Sequence, residues 1–451
     1  MSEIDRREFL RVGIAGLGSI AASQLLTHEL DAMPQKGPSM IGYAAPPMEK
    51  VRIGFVGVGG MGSAHLSNLL KIKGVEVRAV CDIVEKRVER AQTMVEKAGF
   101  PKPEGYARSE EDFKRLCQRD DLDLVYTATP WEWHVPVCLA AMKNRKHAAS
   151  EVPIAITIDQ CWQLVRMSEK TRKHCIMMEN CNYDKVEMMI LNMVKKELFG
   201  ELLYAECGYL HDLREVKHDL NGEGAWRRAH AMKRNGDFYP THGLGPIAQC
   251  FDINRGNYFD YLVSFGTKIR GLHKFAMEKF GPDSPQAKEK FKLSDIVTTL
   301  LKTKRGETIV IKHDTNNPRP YSRDILVQGT GGIARKYPDP KVYIEGKSAK
   351  PHQWDPVDEW MKQYNHPVWI QMQEQSKGAG HGGMDFIEDY RLINALIKGD
   401  VPDMDVYDGV MMSAVTELSA RSIALGSQPM KFPDFTGGKW KEKRELMVMK
   451  V

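Results

Sequence analysis

Residues 51–62, VRIGFVGVGGMG, decide the fold of the N-terminal half of this chain. The first six residues form an apolar run typical of a buried strand, and Gly57, Gly59 and Gly62 follow it in the spacing G-x-G-x-x-G. The first glycine permits a tight turn, the second lets the backbone approach a pyrophosphate, and the third lets the next helix pack closely on the sheet. Backbone N–H groups near Met61, where that helix starts, then face the phosphates. The stretch therefore predicts a dinucleotide-binding strand–turn–helix unit.

An acidic residue after the next predicted strand indicates which dinucleotide binds. Residues 75–81 have the pattern of a second strand, and Asp82 follows it, 20 residues beyond Gly62. A carboxylate there accepts hydrogen bonds from the ribose hydroxyls and repels a 2′-phosphate. The sequence thus predicts NAD rather than NADP, the alternative being a glycine-rich turn beside an exposed Asp.

The alternation of strands and helices continues and predicts a doubly wound parallel sheet. Further strands are predicted over 122–128, 146–150 and 175–179, with helices over 135–142 and 158–170. Residues 131–134, which are Trp-Glu-Trp-His, follow the third strand at the edge where such sheets bind ligands. Trp131 and Trp133 form either a platform for a sugar or adenine or aromatic packing between domains. We place this Rossmann domain at residues 50–182.

The second half of the chain has a different pattern. After a predicted helix over 186–198, strand-like segments separated by turn residues dominate. They are 203–209, 261–266, 296–304, 308–314 and 325–329. The pattern predicts an α+β domain with a largely antiparallel sheet over residues 183–451. Beyond about residue 340 we expect loops until two C-terminal helices, 384–397 and 406–424, which pack back onto the rest.

The composition excludes several classes of protein. In 451 residues, Lys and Arg number 64 against 59 Asp and Glu, and hydrophobic residues make up 42%. This is a soluble globular composition, and a charge of +5 lacks the basic field of a nucleic-acid binder. The eight cysteines show no C-x-x-C spacing, so we expect small buried residues rather than disulfides or metal ligands, and no metal.

The N-terminus has the pattern of an export signal. The pair Arg6-Arg7 precedes an uncharged, weakly apolar run over 12–26, which is too short to span a membrane. This favours a twin-arginine signal over 1–30, followed by a proline-containing linker over 31–49, and the alternative is an amphipathic helix. We therefore expect export by the twin-arginine machinery, to the periplasm.

Candidate catalytic residues occur in two stretches of the second half. Tyr209 ends a predicted strand, and Tyr239 and His242 lie in a segment that leads into a predicted helix over 247–251. An imidazole titrates near neutrality, so His242 is a candidate general base. Alone, His242 would be interpreted as a packing residue. The presence of Tyr239 and Arg227 in the same part of the chain favours a catalytic site instead. His381, in a glycine-rich segment, is interpreted as a loop histidine, although it could reach a cleft.

These motifs resemble the Gfo/Idh/MocA oxidoreductase group. The resemblance rests on the glycine turn, on Asp82, on Thr129-Pro130 with His134, and on Glu151-Val152-Pro153. Most dehydrogenases of that group carry Lys where this chain has Val152. The lack of this ammonium group argues against a simple dehydrogenase mechanism.

A narrower similarity is to glycoside hydrolase family 109, across nearly the whole chain after the signal. It rests on residues 131–134, 151–153, 179–181, 208–214, 239–246 and 380–385. The resemblance implies an NAD-dependent α-N-acetylgalactosaminidase-like glycosidase that oxidises sugar C3, eliminates across C1–C2, adds water and re-reduces C3. The cofactor contacts it implies are Gly57, Gly59, Met61, Gly62, Asp82, Trp131, Glu132, Trp133, His134, Glu151, Val152 and Asn180. The sugar pocket it implies consists of Tyr209, Arg227, Tyr239, Pro240, Thr241, His242 and Tyr321, with His242, Tyr239 and Tyr209 catalytic.

Two other functions stay open at this point. One is a periplasmic NAD-dependent sugar dehydrogenase that passes electrons onward. The other is a non-catalytic NAD-bound sugar-binding protein. In each case the partner is a small glycoside or sugar rather than nucleic acid. The oligomeric state stays open, and the resemblance implies that the exposed face of the antiparallel sheet supports a homodimer, as it often does in the Gfo/Idh/MocA group.

Overall fold

The structure is a computed structural model that describes residues 37–219 and 222–450. The predicted export signal and residues 31–36 of the predicted linker lie outside the described residues. No helix within the described residues is long and apolar enough to cross a membrane.

The N-terminal half contains a six-stranded parallel sheet in the order β3-β2-β1-β4-β5-β6. Its strands are β1 (Val51–Val56), β2 (Val75–Cys81), β3 (Glu104–Tyr106), β4 (Leu124–Thr127), β5 (His147–Ser150) and β6 (Cys175–Met177). Its helices are α1 (Gly60–Leu69), α2 (Glu85–Lys97), α3 (Phe113–Cys117), α4 (Trp131–Lys143) and α5 (Ile158–Thr171). The central strands are buried because helices cover both faces. The strand order reverses between β1 and β4, which opens a crevice at the carboxyl ends of the strands. The predicted doubly wound sheet is confirmed.

The second half is built on a nine-stranded sheet in the order β14-β13-β12-β11-β7-β10-β9-β8-β15. Its strands are β7 (Leu202–Leu210), β8 (Phe259–Gly266), β9 (Ile296–Thr303), β10 (Thr308–Asp314), β11 (Leu326–Gly329), β12 (Gly332–Arg335), β13 (Lys341–Ile344), β14 (Asp355–Pro356) and β15 (Met430–Lys431). Neighbouring strands are antiparallel except β7 and β10, which run parallel. The predicted largely antiparallel sheet is confirmed, and the parallel pair makes it a mixed sheet.

The helices of this half precede the sheet or lie between its strands in the chain. They are α6 (Lys185–Lys195), α7 (Arg214–His218), α8 (Gly224–Lys233), α9 (Thr241–Cys250), α10 (Gly271–Phe280), α11 (Val357–Tyr364), α12 (Pro367–Met372), α13 (Met384–Lys398) and α14 (Val406–Ala424). Helix α13 packs on α1, and α14 packs on α5 and β8, so both C-terminal helices contact elements earlier in the chain.

The expectation of loops beyond residue 340 is wrong in part. Strands β13 and β14 and helices α11 and α12 lie there, and Trp360 and Trp369 are buried in the core. The strands are short and pair at the edge of the sheet, so tertiary contacts rather than local periodicity stabilise them. All eight cysteines are buried, which confirms that part of the expectation.

Candidate functional site

The glycine turn between β1 and α1 has the geometry that its spacing predicts. Gly57 has φ +84°, and a Cβ on it would lie 2.7 Å from the carbonyl oxygen of Ala128. A Cβ on Gly62 would lie 1.9 Å from the carbonyl oxygen of Gly57, so only glycine lets the helix approach the strand this closely. A Cβ on Gly59 would meet nothing nearer than 3.8 Å, which leaves open the space that a pyrophosphate needs.

The carboxylate of Asp82 is fixed by backbone donors beside this turn. Its Oδ2 accepts a hydrogen bond from Val58 N–H at 3.0 Å, and its Oδ1 accepts one from Val84 N–H at 2.9 Å. The guanidinium of Arg87 lies 3.6 Å from Oδ1. Asp82 is buried, so the alternative of an exposed Asp is wrong. Its position fits a ribose-binding carboxylate.

A cavity of about 530 Å³ extends from this turn along the carboxyl edge of the sheet towards the second domain. It is lined by most of the predicted cofactor residues: Gly57, Gly59, Met61, Asp82, Trp131, Trp133, His134, Glu151 and Val152. Arg227 and Tyr239 of the second domain complete the far wall. The glycine turn, the buried carboxylate and the size of this cavity fit a dinucleotide.

Three of the predicted cofactor residues are not in the lining of this cavity. Glu132 has its carboxylate 3.2 Å from His230 Nε2, and Asn180 donates a hydrogen bond to Asp385 at 2.7 Å. Gly62 packs against the turn itself. Cofactor contact by these three residues stays a prediction.

The two tryptophans that follow β4 have different surroundings. The ring of Trp131 is nearly buried, meets Trp226 edge-to-face at 4.8 Å and lies under the guanidinium of Arg227 at 5.2 Å. Trp133 packs edge-on against Phe113 at 6.0 Å. Trp131 therefore packs against the second domain while both rings line the cavity, so packing and ligand contact are compatible.

Next to the cavity, an aromatic cluster brings together the predicted catalytic residues. The ring of Tyr239 lies 4.6 Å from Tyr209 and 4.7 Å from His242, and the Tyr321 ring lies 6.2 Å from Tyr209. Tyr209 comes from the end of β7, and His242 from the first turn of α9. The predicted sugar-binding residues therefore meet at one place, although they come from separate elements.

The start of helix α9 differs from the expected position. The helix begins at Thr241 rather than Ile247, and Pro240 precedes its first turn while Thr241 is fully buried within it. A Cβ on Gly243 would lie 2.4 Å from the backbone nitrogen of Gly208. Glycine thus allows the helix to lie directly on β7, and this packing stabilises a first turn that local propensity disfavours.

A buried carboxylate that the sequence analysis did not select positions His242. Glu179 Oε1 lies 2.7 Å from His242 Nδ1 and also accepts a hydrogen bond from Cys181 N–H at 3.1 Å. Glu179 is fully buried. A carboxylate on Nδ1 orients the ring and leaves Nε2 as the group that exchanges protons. Glu179 lies just after β6, and ligand sites of such sheets form at the carboxyl ends of the strands. This position is the sequence signal from which Glu179 could have been predicted as a site residue.

Tyr209 and Tyr239 of the cluster are neutral phenols at neutral pH. Burial raises the pKa of Tyr209 to about 12 and raises that of Tyr239 well above its usual value. The hydroxyl of Tyr209 also lies 3.0 Å from His211 Nδ1, and burial lowers the pKa of that histidine. Both phenols therefore keep their protons beside His242.

A second histidine, His65 of α1, holds Glu151 at the cavity wall. Its Nε2 lies 2.8 Å from Glu151 Oε1, and its Nδ1 lies 3.0 Å from Asp389 Oδ2 and 3.0 Å from the hydroxyl of Tyr126. Burial acts to lower the pKa of His65, but the charge and hydrogen bonds of Asp389 and Glu151 raise it well above its usual value. Glu151 Oε2 accepts a hydrogen bond from Val152 N–H at 3.0 Å. Glu151 therefore lines the cavity with a carboxylate that His65 and the backbone of Val152 fix in place. The pattern of α1 gave no signal for His65.

Three metal-ligating side chains lie together at this site. Single atoms of Glu179, Cys181 and His242 lie within 4.8 Å of one another. The 2.7 Å separation of Glu179 and His242 is that of a hydrogen bond, and burial raises the pKa of the Cys181 thiol, so the thiolate that binds metals is disfavoured. The expectation of no metal stays a prediction.

The glycine turn, Asp82 and the cavity on a doubly wound sheet define an NAD-binding oxidoreductase domain. Residues 51–179 match the family described as "Oxidoreductase family, NAD-binding Rossmann fold". The fold is similar to that of levoglucosan dehydrogenase in complex with NADH and levoglucosan, with a TM-score of 0.66, 17% identity, and coverage of 85% of this chain and 100% of that one. It is also similar to an inositol dehydrogenase homologue complexed with NAD⁺ from Azotobacter vinelandii, with a TM-score of 0.64, 18% identity, and coverage of 86% of this chain and 99% of that one.

The second domain identifies the family. Residues 183–442 match the family described as "Glycosyl hydrolase 109, C-terminal domain". The chain is 42% identical to a glycosyl hydrolase family 109 protein of Shewanella pealeana, covering 99% of each chain. It is 41% identical to an alpha-N-acetylgalactosaminidase of Shewanella oneidensis, covering 100% of each. This chain belongs to glycosyl hydrolase family 109 and is an NAD-dependent glycoside hydrolase. The resemblance seen in the motifs is confirmed, and neither alternative function is favoured.

Proposed function

We propose that this protein hydrolyses α-N-acetylgalactosaminides by oxidation at C3, elimination across C1–C2, addition of water and re-reduction. The observation that carries the proposal is the cluster of His242, Tyr209 and Tyr239 beside the dinucleotide cavity, with Glu179 on the imidazole. The sugar is proposed from the relative in Shewanella oneidensis, whose name specifies it.

The cofactor would be held by residues of the first domain. Gly59 and Met61 would hold the pyrophosphate and Asp82 the ribose, and Glu151 lines the cavity together with them. Bound NAD supplies a reversible hydride acceptor for the sugar C3 carbon. Val152, which is buried, stands where the dehydrogenases that the motifs resemble carry Lys. Because valine has no amine, no ammonium group occupies that position.

The residues of the second domain move the protons. His242 Nε2 accepts a proton from the C3 hydroxyl or from C2, and the carboxylate of Glu179 stabilises the resulting imidazolium. The neutral phenols of Tyr209 and Tyr239 donate hydrogen bonds to the sugar oxygens that gain negative charge. Glu151 and Glu179 each hold a histidine, so neither is free to act as in glycosidases that use a carboxylate pair.

A substrate screen with and without cofactor tests this proposal. p-Nitrophenyl α- and β-glycosides are supplied to enzyme stripped of NAD and to reloaded enzyme. We expect release of p-nitrophenol from the α-N-acetylgalactosaminide only after reloading, with no net absorbance change at 340 nm and with deuterium entering C2. Hydrolysis that persists without NAD contradicts the mechanism, and net accumulation of NADH supports a dehydrogenase instead.

We further propose that the protein is exported to the periplasm by the twin-arginine machinery. The support is Arg6-Arg7 ahead of an uncharged apolar run, and the cytoplasm is where a folded protein acquires NAD before export. Replacing both arginines with lysine should leave the protein in the cytoplasmic fraction, and unchanged periplasmic recovery contradicts this proposal.

A homodimer is also proposed, through the outer face of the nine-stranded sheet. Large apolar side chains are exposed there on β8 and β9: Tyr261, Phe265 and Leu300. Light scattering should give twice the chain mass, and Phe265→Glu should give the monomer mass.

A further inference from the structure

A histidine–aspartate pair from the C-terminal part of the chain lies against the site. His381 Nδ1 is 2.8 Å from Asp385 Oδ2, and Asp385 Oδ1 accepts the hydrogen bond of 2.7 Å from Asn180. Asp385 is almost completely buried, whereas 52% of the His381 side chain is exposed. The buried carboxylate thus fixes one ring nitrogen and leaves Nε2, on the opposite side of the ring, for another partner.

The backbone that carries His381 has an unusual conformation. His381 has φ +48°, and Gly382 and Gly383 that follow it have φ +74° and φ +106°. A left-handed conformation is costly for a residue with a Cβ and persists where surrounding contacts impose it. Gly380 contributes as well, since a Cβ on it would lie 2.5 Å from the carboxylate of Asp385. The segment before α13 is therefore shaped to present this imidazole over Asp385.

The His381–Asp385 pair is connected to the catalytic cluster through Asn180, because Asn180 follows Glu179, whose carboxylate lies 2.7 Å from His242 Nδ1. Two charged groups on other elements act on the imidazole of His381, Glu151 of the cavity wall and Arg323. Arg323 Nη1 donates a hydrogen bond of 3.2 Å to the hydroxyl of Tyr321, the residue expected to contact the sugar. The hydrogen bond and charge of Asp385 raise the pKa of His381, with Glu151 adding to the effect and Arg323 opposing it. Burial of the ring also opposes the effect, and the net result is that His381 keeps its proton to higher pH than an ordinary histidine.

We propose that His381 is the general acid that protonates the glycosidic oxygen during elimination, and that Asp385 is its positioning residue. The inference rests on the proposed function, because it assigns a residue to the elimination step of that reaction. The base takes the proton from C2, and the C2–H electron pair is held as the enolate of the C3 ketone before it forms the C1=C2 bond. The C1–O bond breaks with its electron pair on the oxygen, and that oxygen takes the proton from His381 Nε2. The products are the enone, the free alcohol and a neutral imidazole.

The test compares leaving groups of different basicity. Wild type, His381→Gln and the control His352→Gln are assayed with 2,4-dinitrophenyl, p-nitrophenyl, phenyl and methyl α-N-acetylgalactosaminides. His352 is an exposed histidine that also has positive φ, +60°, so it is matched in type and conformation. A good leaving group departs without an acid, and an alkoxide does not. We expect His381→Gln to keep kcat/KM within about 3-fold on the dinitrophenyl substrate and to lose about 100-fold on the methyl glycoside, the usual effect of a general acid. His352→Gln should match wild type.

Exchange at C2 separates catalysis from a structural effect. Deprotonation at C2 does not require the leaving group to depart with a proton, so His381→Gln should exchange deuterium into C2 of the methyl glycoside at the wild-type rate. In wild type the rate on the methyl glycoside should fall as pH rises through the pKa of His381. In Asp385→Asn that fall should begin at lower pH, because the group that raises the pKa has been removed.

The outcomes distinguish the two claims. If wild type neither exchanges C2 nor hydrolyses any α-N-acetylgalactosaminide, the proposed function fails. If wild type does both and His381→Gln loses activity equally on all four substrates, or loses none, the assignment of His381 as the acid is overturned while the proposed function stands. Slowed C2 exchange in His381→Gln also overturns it, since the site itself has then changed.

Discussion

Replacing Glu179 with Gln should weaken catalysis while leaving cofactor binding intact. The amide has almost the same shape, and its oxygen can still accept from His242 Nδ1, but the negative charge is lost. The carboxylate is fully buried and lies 2.7 Å from the ring nitrogen, so water does not screen the interaction. A hydrogen bond to a charged partner contributes about 1.5–3 kcal/mol. If this contribution is realised when the imidazolium forms, Glu179→Gln lowers kcat/KM by about 10- to 150-fold.

The assay is steady-state hydrolysis of p-nitrophenyl α-N-acetylgalactosaminide, with NAD affinity measured separately by calorimetry. Cys181→Ser is the matched control, because this residue lies in the same turn and burial keeps its thiol neutral. We expect unchanged NAD affinity in both variants and near-normal hydrolysis in the control. A kcat/KM for Glu179→Gln within 2-fold of wild type would refute the positioning role. Loss of activity on chelation and recovery with a divalent metal would instead show that Glu179, Cys181 and His242 bind an ion.

Three further predictions concern the cofactor turn and the pH dependence of stability. Asp82→Ser should raise the affinity for NADP relative to NAD by at least about 10-fold, because the carboxylate that repels a 2′-phosphate is gone. Arg87, which lies 3.6 Å from that carboxylate, remains to pair with the phosphate, and titration with both cofactors measures the change. Gly59→Ala should fold normally but bind NAD more than about 10-fold more weakly, because its new Cβ would lie 3.8 Å from the nearest protein atom and project into the space for the pyrophosphate. Gly62→Ala should lower the melting temperature, because its Cβ would lie 1.9 Å from the carbonyl oxygen of Gly57. Equal melting temperatures in the two variants would contradict the packing role of Gly62. Burial raises the pKa of Asp237 from 3.8 to about 7. Because the unfolded chain releases this proton near pH 4 and the folded chain does so only near pH 7, wild type should lose up to about 4 kcal/mol of stability between these values. Asp237→Asn should not show this loss, so unfolding curves of the two proteins should converge near pH 4 and separate by pH 8.

Local sequence was sufficient for the cofactor half of the site. The positive φ of Gly57 and the close approach at Gly62 are properties of the short turn after β1 and of the helix that follows it, so glycine at those positions is itself the signal. Asp82 was found in the same way, because it directly follows a buried strand. The mixed strand order of the second sheet was not predictable, since the parallel pairing of β7 with β10 joins segments about 100 residues apart.

The proton-handling half of the site was only partly predictable. Tyr239 and His242 stood out because they are close in the chain, but the start of α9 at Thr241 depends on glycine contacts with β7. His381 was interpreted as an ordinary loop histidine, since nothing within its glycine-rich segment indicates that Asp385 fixes its ring.

The sequence by itself determined the dinucleotide turn, the order of strands and helices in the first domain, and the residues of the family motifs. Only the tertiary structure decided which acid holds which histidine. Glu179 and His242 are 63 residues apart, Glu151 and His65 are 86 apart, and Asp389 and His65 are 324 apart. The Glu179–His242 pair forms only when the two domains pack together, the Asp389–His65 pair only when α13 packs on α1, and the Glu151–His65 pair only when the first domain has folded. Because these contacts are buried away from solvent, the charges of Asp389 and Glu151 act strongly on His65 and raise its pKa.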